Sequence, residues 1–407
     1  MSNEYIPDSE LLPERELITE AEAKHGFEES SGRQRAIIRT SDRILFKTCR
    51  RRWAWQSHLR GNLGPKRKAS PLWLGSGIHY ALEDFHSVRT YGSPAEAFKA
   101  YCKASFKLAR KHNQTNSFPE DIHELIDLGT RMMEYYSIWL ESREQIQTYI
   151  HNGVPQVEVN FKIKLPWEEG KYGLDDVFYS GQMDRVAIDE QGFLWIVEYK
   201  TAKAIQTSHY ATDAQVTSYC WAASCIYDRP VAGVIYQQHR KTLPEEPRIL
   251  ANGTISTAQN MITSHRMYRQ ALIKVYGDVG RAPKANVDYL DALAYKEQPR
   301  DDGFIRRDYI YRNQFQIESE GQKIMMEADE MLNPELHLYP NPSRSCAFMC
   351  SFLSPCNSLD DGSDFEHELK LTTTNRETEY DSWRKYLEQP QEQSQQIQMR
   401  ELLNLLQ

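Results

Sequence analysis

The sequence predicts an α/β protein with a mixed central sheet flanked by helices and a helical insertion ahead of the main strands. Three observations lead there. Apolar residues recur at helical spacing from Ser41 to about residue 150. The period then drops to two in "VPQVEVNFKIKLP", "DVFYSGQMDRVAID" and "FLWIVEYKT". Helix returns in "YATDAQVTSYCWAASCIYD", followed by the strand-like "VAGVIYQQHR".

Each element has its own signal. Residues 1–35 are polar and acidic and read as a mobile arm ahead of a domain spanning 36–357. "SDRILFKTCRRRWAWQSHLR" reads as a short amphipathic helix with Ser41 or Asp42 as N-cap. In "WLGSGIHYALEDFHSV", Ile78, Leu82 and Phe85 share one helical face. Residues 94–150 form the helical insertion. A helix near 256–276, the strand-like "GFIRRDYIYR" and the helix "NQFQIESEGQKIMMEADEML" lead to a cysteine cluster at 346–356. Residues 358–407 are polar, and "EQPQEQSQQIQ" has the low complexity of a disordered tail.

Composition narrows the class. The chain has 407 residues, 40% apolar and 26% charged, as soluble globular proteins do. No run of about 18 apolar residues exists to cross a bilayer, and the acidic start lacks the apolar core of a signal peptide. A cytoplasmic protein is expected. Seven cysteines in that compartment favour metal ligands or buried thiols over disulfides. Cys102, Cys220 and Cys225 lie among apolar residues and read as buried thiols. The net charge of −8 does not mark a nucleic-acid binder, but Ile38 to Ala69 holds ten Lys or Arg against one acid. Arg51, Arg52, Lys66, Arg67 and Lys68, with Trp53 and Trp55 between them, read either as a DNA-binding stretch or as a solvated basic face.

"GQMDRVAIDEQGFLWIVEYKT" carries Asp184, Glu198 and Lys200 in strands that should feed a core, where ionic side chains are costly. A three-residue turn, Glu190-Gln191-Gly192, pairs Asp189 with Phe193. Asp184 then falls opposite Glu198, and both share a sheet face with Lys200, while Trp195, Val197 and Tyr199 take the other. Opposed carboxylates repel unless something lies between them. Either Lys200 bridges them, or they hold a divalent cation, for which hard oxygens favour Mg²⁺ or Mn²⁺.

These residues resemble the PD-(D/E)XK nuclease motif in its RecB-like form, a Gly-x-x-Asp-Arg strand followed by an acid-x-Lys strand. "GSGIH" resembles the family's first motif, and "QVTSY" its Gln-x-x-x-Tyr motif. Cys49, Cys346, Cys350 and Cys356 resemble the iron–sulfur staple of the CRISPR-associated and AddB-type branches, although Cys346 and Cys350 are one residue further apart than is common. The resemblance implies a restriction-endonuclease-like core. It implies Asp184, Glu198 and Lys200 as the catalytic set, and a metal held by His79, Asp184, Glu198 and the Tyr199 carbonyl. Gln215 and Tyr219 would then face DNA, and a 4Fe–4S cluster, or Zn²⁺ in its place, would sit on the four cysteines. Glu83 is read either as orienting His79 or touching the metal through water, or as plain surface, and His86 as structural. Arg185 is read as holding a neighbouring acid or a phosphate.

The expected function is a metal-dependent DNA exonuclease in replication, recombination or repair, in bacterial cytoplasm, with a phage as one expected source. No G-x-x-x-x-G-K-[ST] loop is present, so unwinding would fall to a helicase, recombination or single-strand-binding partner. The rival readings are a silent DNA-end-binding scaffold and a nuclease subunit of CRISPR adaptation.

Overall fold

The turn at 190–192 forms, and the ladder it sets runs through the centre of the fold. Gly192 is left-handed (φ +87°) and Asp189 donates its N–H to the Phe193 carbonyl at 3.1 Å. The computed structural model describes residues 15–17, 27–30, 33–66, 70–112, 118, 120–141, 146–297, 300–376 and 383–387.

In chain order, strands β1 (Arg15–Leu17), β2 (Phe27–Ser30) and β3 (Arg33–Arg39) precede helices α1 (Thr40–Thr48) and α2 (Arg50–Gln56). Strand β4 (Leu63–Pro65) leads to α3 (Ser70–His86), α4 (Pro94–Lys111) and α5 (Ile122–Leu140). The short β5 (Gln147–Thr148), β6 (Ile150–His151) and β7 (Val154–Pro155) come before the long β8 (Val157–Leu165), β9 (Asp176–Ile188) and β10 (Leu194–Ala202). Then come α6 (Ala214–Tyr227), β11 (Val231–Arg240), α7 (His265–Tyr276), α8 (Lys284–Lys296), β12 (Ile305–Tyr311) and α9 (Gln314–Leu332). The last elements are α10 (Cys346–Met349), α11 (Leu353–Asp361), α12 (Phe365–Thr372) and β13 (Thr373–Asn375).

The main sheet runs β1-β8-β9-β10-β11-β12, with β3 and β5 also on β9 and β2 on β3. It is mixed: β10 pairs β11 and β3 pairs β9 in parallel, and the other ladders are antiparallel. Both faces are covered. Leu194 and Ile196 of β10 join a core with Val216 and Tyr219 of α6 and Ile317 and Ile324 of α9. Trp195, Val197 and Tyr199 join a second core with Ile78 and Leu82 of α3, Phe98 of α4 and Tyr136 of α5. The expected alternation of β10 therefore holds, with both of its faces buried. A small lobe on α7 and α8 has its own apolar centre around Tyr268, Leu272 and Leu290.

Three expectations are corrected. The segment 1–35 is not wholly an arm, because β1 pairs with β8 and β2 with β3. The stretch beyond 358 is not simply a tail. It holds the end of α11, all of α12, β13 paired with β4, and a 3₁₀ turn at Trp383–Tyr386. The basic helix breaks at Cys49, whose backbone is extended, into α1 and α2. Asp42 caps α1 from its third position, accepting the Arg39 N–H at 2.9 Å, rather than from its start.

Asp176 ties the edge of the fold together. Its carboxylate takes Arg33 at 3.0 Å and Arg35 at 3.3 Å from β3, and Lys164 at 3.1 Å from β8. The Arg33 hydrogen bond, with Lys164, holds this carboxyl down to about 2. A depressed folded pKa stabilises above the unfolded value, roughly 3.9, and that stabilisation is lost as pH falls through about 2. Asp176→Asn should therefore melt several degrees below the native chain at neutral pH. In thermal unfolding, that gap should close as the pH is lowered from about 4 towards 2.

Candidate active site

The site is built where the sheet forks. One edge of β9 pairs with β3 over Asp176–Ser180 and with β10 over Arg185–Ile188, which leaves residues 181–184 without a strand on that side. The β9/β10 ladder follows the predicted register, Ile188 with Leu194 through Arg185 with Val197, and stops one pair short of Asp184 and Glu198. Asp184 continues it with its side chain: Oδ2 accepts the Tyr199 N–H at 2.7 Å. Gly181 opens the fork, since a Cβ there would lie 2.5 Å from Thr40 Oγ1 and 2.8 Å from the Phe161 ring. Gly77 seats the helix that carries His79. A Cβ at that position would meet the Phe98 and Tyr101 rings at 2.6 and 2.7 Å.

Three side chains gather at the fork. His79 Nδ1 lies 3.3 Å from Asp184 Oδ1 and 3.7 Å from Glu158 Oε1. The donor atoms of His79, Glu158 and Asp184 all lie within 4.8 Å of one another. Among the described residues this is the one His/Cys/Asp/Glu group close enough to hold an ion. Glu158 was not foreseen. Its signal was the same as for Asp184, an acid between apolar neighbours on a strand, but the alternation of "VEVNFKIK" offered it a solvent face. Its backbone is left-handed (φ +45°), at a cost of about 1 kcal/mol or more for a residue with a side chain. The ladder pairs on either side, Val157 with Arg185 and Val159 with Met183, remain intact.

Beside this group, Lys200 Nζ lies 2.5 Å from Glu198 Oε1. Burial, then the Asp184 charge, pushes the Glu198 carboxyl up to about 7 against the pull of Lys200. Burial would also raise Asp184, but His79, the Tyr199 N–H and Lys200 outweigh it and hold that carboxyl below its ordinary value. Burial disfavours the charged form of His79, yet Asp184 and Glu158 raise it well above the ordinary imidazole range. For Lys200 burial is likewise outweighed, chiefly by Glu198. Two hard carboxylates and an imidazole at this spacing fit a divalent ion such as Mg²⁺ or Mn²⁺.

The other expected site residues have different surroundings. The Tyr199 ring is buried, stacked on His86 at 6.3 Å between centroids and held by Arg185 Nη1 at 3.0 Å from its hydroxyl. Arg185 is buried and so is turned away from phosphate, and His86 is structural, 2.7 Å from the Tyr136 hydroxyl. Gln215 Nε2 donates to the Tyr219 hydroxyl at 3.1 Å; Tyr219 is core, whereas Gln215 lines a groove with Thr40, Arg43 and Lys47. Glu83 pairs with Arg384.

The basic stretch is largely engaged inside the chain. Arg43 is buried against Glu320 and Glu327, Arg50 meets Glu330, and Arg51 meets Asp360 at 2.7 Å. Arg52 donates to Gln56, and Lys66 Nζ to the Lys370 carbonyl at 2.6 Å. Trp53 is fully buried, and Trp55 lies against Phe352 and Phe365. Arg67 and Lys68 lie outside the described residues.

The four cysteines of the expected staple stand where α2 meets the later helices. Cys49, Cys346, Cys350 and Cys356 are half-buried free thiols, and none belongs to an ion-holding group among the described residues. Cys49 Sγ takes the Asn341 N–H at 3.4 Å, Cys346 Sγ that of Ser343 at 3.4 Å, and Cys356 Sγ an Arg51 N–H at 3.3 Å. Cys49 and Cys346 stand near enough to Cys350 for their charges to act on it. The join between α2 and the later helices is made by these bonds, the Arg51–Asp360 pair and the Trp55 stack. Cys102 and Cys220 are buried thiols as expected, and Cys225 is partly buried.

A mixed sheet forked around a carboxylate-rich group, with a lysine two residues beyond Glu198, suits metal-dependent hydrolysis of a phosphate ester. The chain belongs to the PD-(D/E)XK nuclease superfamily, whose family model matches residues 43–357. No curated protein matches the sequence. Among the described residues no helix is long and apolar enough to cross a membrane.

An ion entering this group must displace the proton from His79, so affinity should rise with pH. Calorimetric titration with Mn²⁺ should show tighter binding at about pH 8 than at about pH 6. Glu158→Gln should weaken it about tenfold or more, a ligand being worth at least what its supporting shell is.

Proposed function

We propose that this chain is a DNA exonuclease of the RecB-like branch, cutting phosphodiester bonds at DNA ends. The observation that carries the reading is the gathering of His79, Glu158 and Asp184 at the sheet fork, with the Glu198–Lys200 pair beside them, all inside the region that matches the family. His79, Glu158 and Asp184 would hold a divalent ion, with Glu198 and the Tyr199 carbonyl completing the set. When bound, that ion supplies charge stabilisation at a phosphodiester.

The chain's own groups do the rest. Lys200 has 40% of its side chain exposed while Glu198 has 3%, so the lysine is the group that meets solvent and substrate. Its ammonium orients a water for attack and pairs with the phosphate charge that grows as the water oxygen bonds phosphorus. Glu198 holds that ammonium in place, while the attacking water gives up its proton to solvent and the leaving oxygen takes one from solvent. Asp184 holds Tyr199 by its amide and so fixes the two strands on which these groups stand. Gln215, at the groove beside α1, and exposed cations of the basic stretch are the proposed contacts to DNA. No motor motif occurs in the sequence, which supports action on free ends or on strands opened by a partner.

End-labelled single- and double-stranded DNA should be degraded with Mg²⁺ or Mn²⁺ and spared with EDTA. Asp184→Ala, Glu198→Ala and Lys200→Ala should each lower cleavage about a hundredfold or more while DNA binding persists. Full activity in any one of these variants would refute the assignment. Cutting of closed circles as fast as of linear DNA would contradict the exonuclease reading alone.

A further inference from the structure

The segment 383–387, from the far end of the chain, reaches α3 beside the ion group. Trp383 meets Tyr80 and Tyr101 edge-on, with ring centroids 4.9 and 4.8 Å apart. Both tyrosines are buried parts of the core beneath α3 and α4, so this anchor has a firm seat. The neighbouring Arg384 lays its guanidinium 5.6 Å above the Tyr80 ring and gives Glu83 two hydrogen bonds of 3.0 and 2.7 Å. A two-pronged pair of this kind fixes the carboxylate as well as neutralising it. Glu83 stands four residues after His79 on α3, hence on the same face. Its charge is also one of those felt by Glu158. A third acid therefore stands within electrostatic reach of the group, engaged by an arginine from the chain's end.

We propose that the C-terminal turn is a clamp on the metal centre, in which Arg384 withholds the Glu83 carboxylate from the group formed by His79, Glu158 and Asp184. The inference rests on that group holding a divalent ion, as proposed above. Releasing Glu83 adds one negative charge beside the ion and strengthens its attraction. An anion that draws Arg384 away, a DNA phosphate included, thus tightens the grip on the ion, and by reciprocity the ion favours that anion.

Calorimetric titration of the full chain with Mn²⁺ alone tests this. Arg384→Ala should bind Mn²⁺ about fivefold more tightly than the native chain. Trp383→Ala, which removes the anchor and leaves both charges, should shift affinity the same way. Arg384→Ala combined with Glu83→Gln should return it to the native value, and Arg384→Lys should stay near it. Thermal melts of the same samples confirm that each variant is folded. Unchanged or weaker affinity in folded Arg384→Ala, or a gain that survives in the double variant, would overturn the clamp. Absence of Mn²⁺ binding in both the native chain and Arg384→Ala would overturn the metal reading itself and the clamp with it.

Discussion

The interaction on which the site depends is the hydrogen bond from the Tyr199 amide to the Asp184 carboxylate. Up to Arg185 and Val197, β9 and β10 are an ordinary antiparallel pair. Beyond it a carboxylate stands where a backbone carbonyl would continue the ladder, and β9 turns to β3 while β10 runs on beside β11. The separation leaves room for acids that a closed ladder would press together. One oxygen of Asp184 keeps the strands in register and the other faces His79. One residue thereby ties the strand register to the group around His79, and the burial that makes Glu198 reluctant to ionise follows from the same closed surroundings.

The fork needs support on both sides. Thr40 of α1 bonds the Tyr179 hydroxyl at 2.8 Å and the Ser180 carbonyl at 3.3 Å, and Tyr179 bonds Ser218 of α6 at 2.7 Å. On the other face, Arg185, His86 and Tyr136 surround the Tyr199 ring. The cations of α1 and α2 answer the acids of α9 and α11, which fastens the first helices to the last. Such pairs are worth most where buried and well hydrogen-bonded, as Arg43 is between Glu320 and Glu327.

Much of this was legible before the fold was seen. A glycine-containing turn of known length sets a hairpin register, and the register alone places Asp184 opposite Glu198 and puts Trp195, Val197 and Tyr199 on the far face. His79 was legible through its motif. Glu158 was not, because a polar residue on an alternating strand has an innocent outlet in solvent, and only the third strand's position shows that the outlet is closed. The basic stretch misled in the opposite direction. Its acidic partners lie some 280 to 310 residues away, and linear charge counting cannot see across that distance. The end of the chain was read as tail from its polarity, yet Trp383 and the β13/β4 pair have packing partners that composition does not reveal.

The central claim is that one divalent ion sits at the fork between β8, β9 and α3. Crystals of the chain grown with Mn²⁺ and measured at the manganese absorption edge test it most directly. The account predicts an anomalous peak in contact with His79, Glu158 and Asp184. Manganese bound elsewhere, at the cysteines for instance, with the fork still closed by the His79–Asp184 contact, would contradict it.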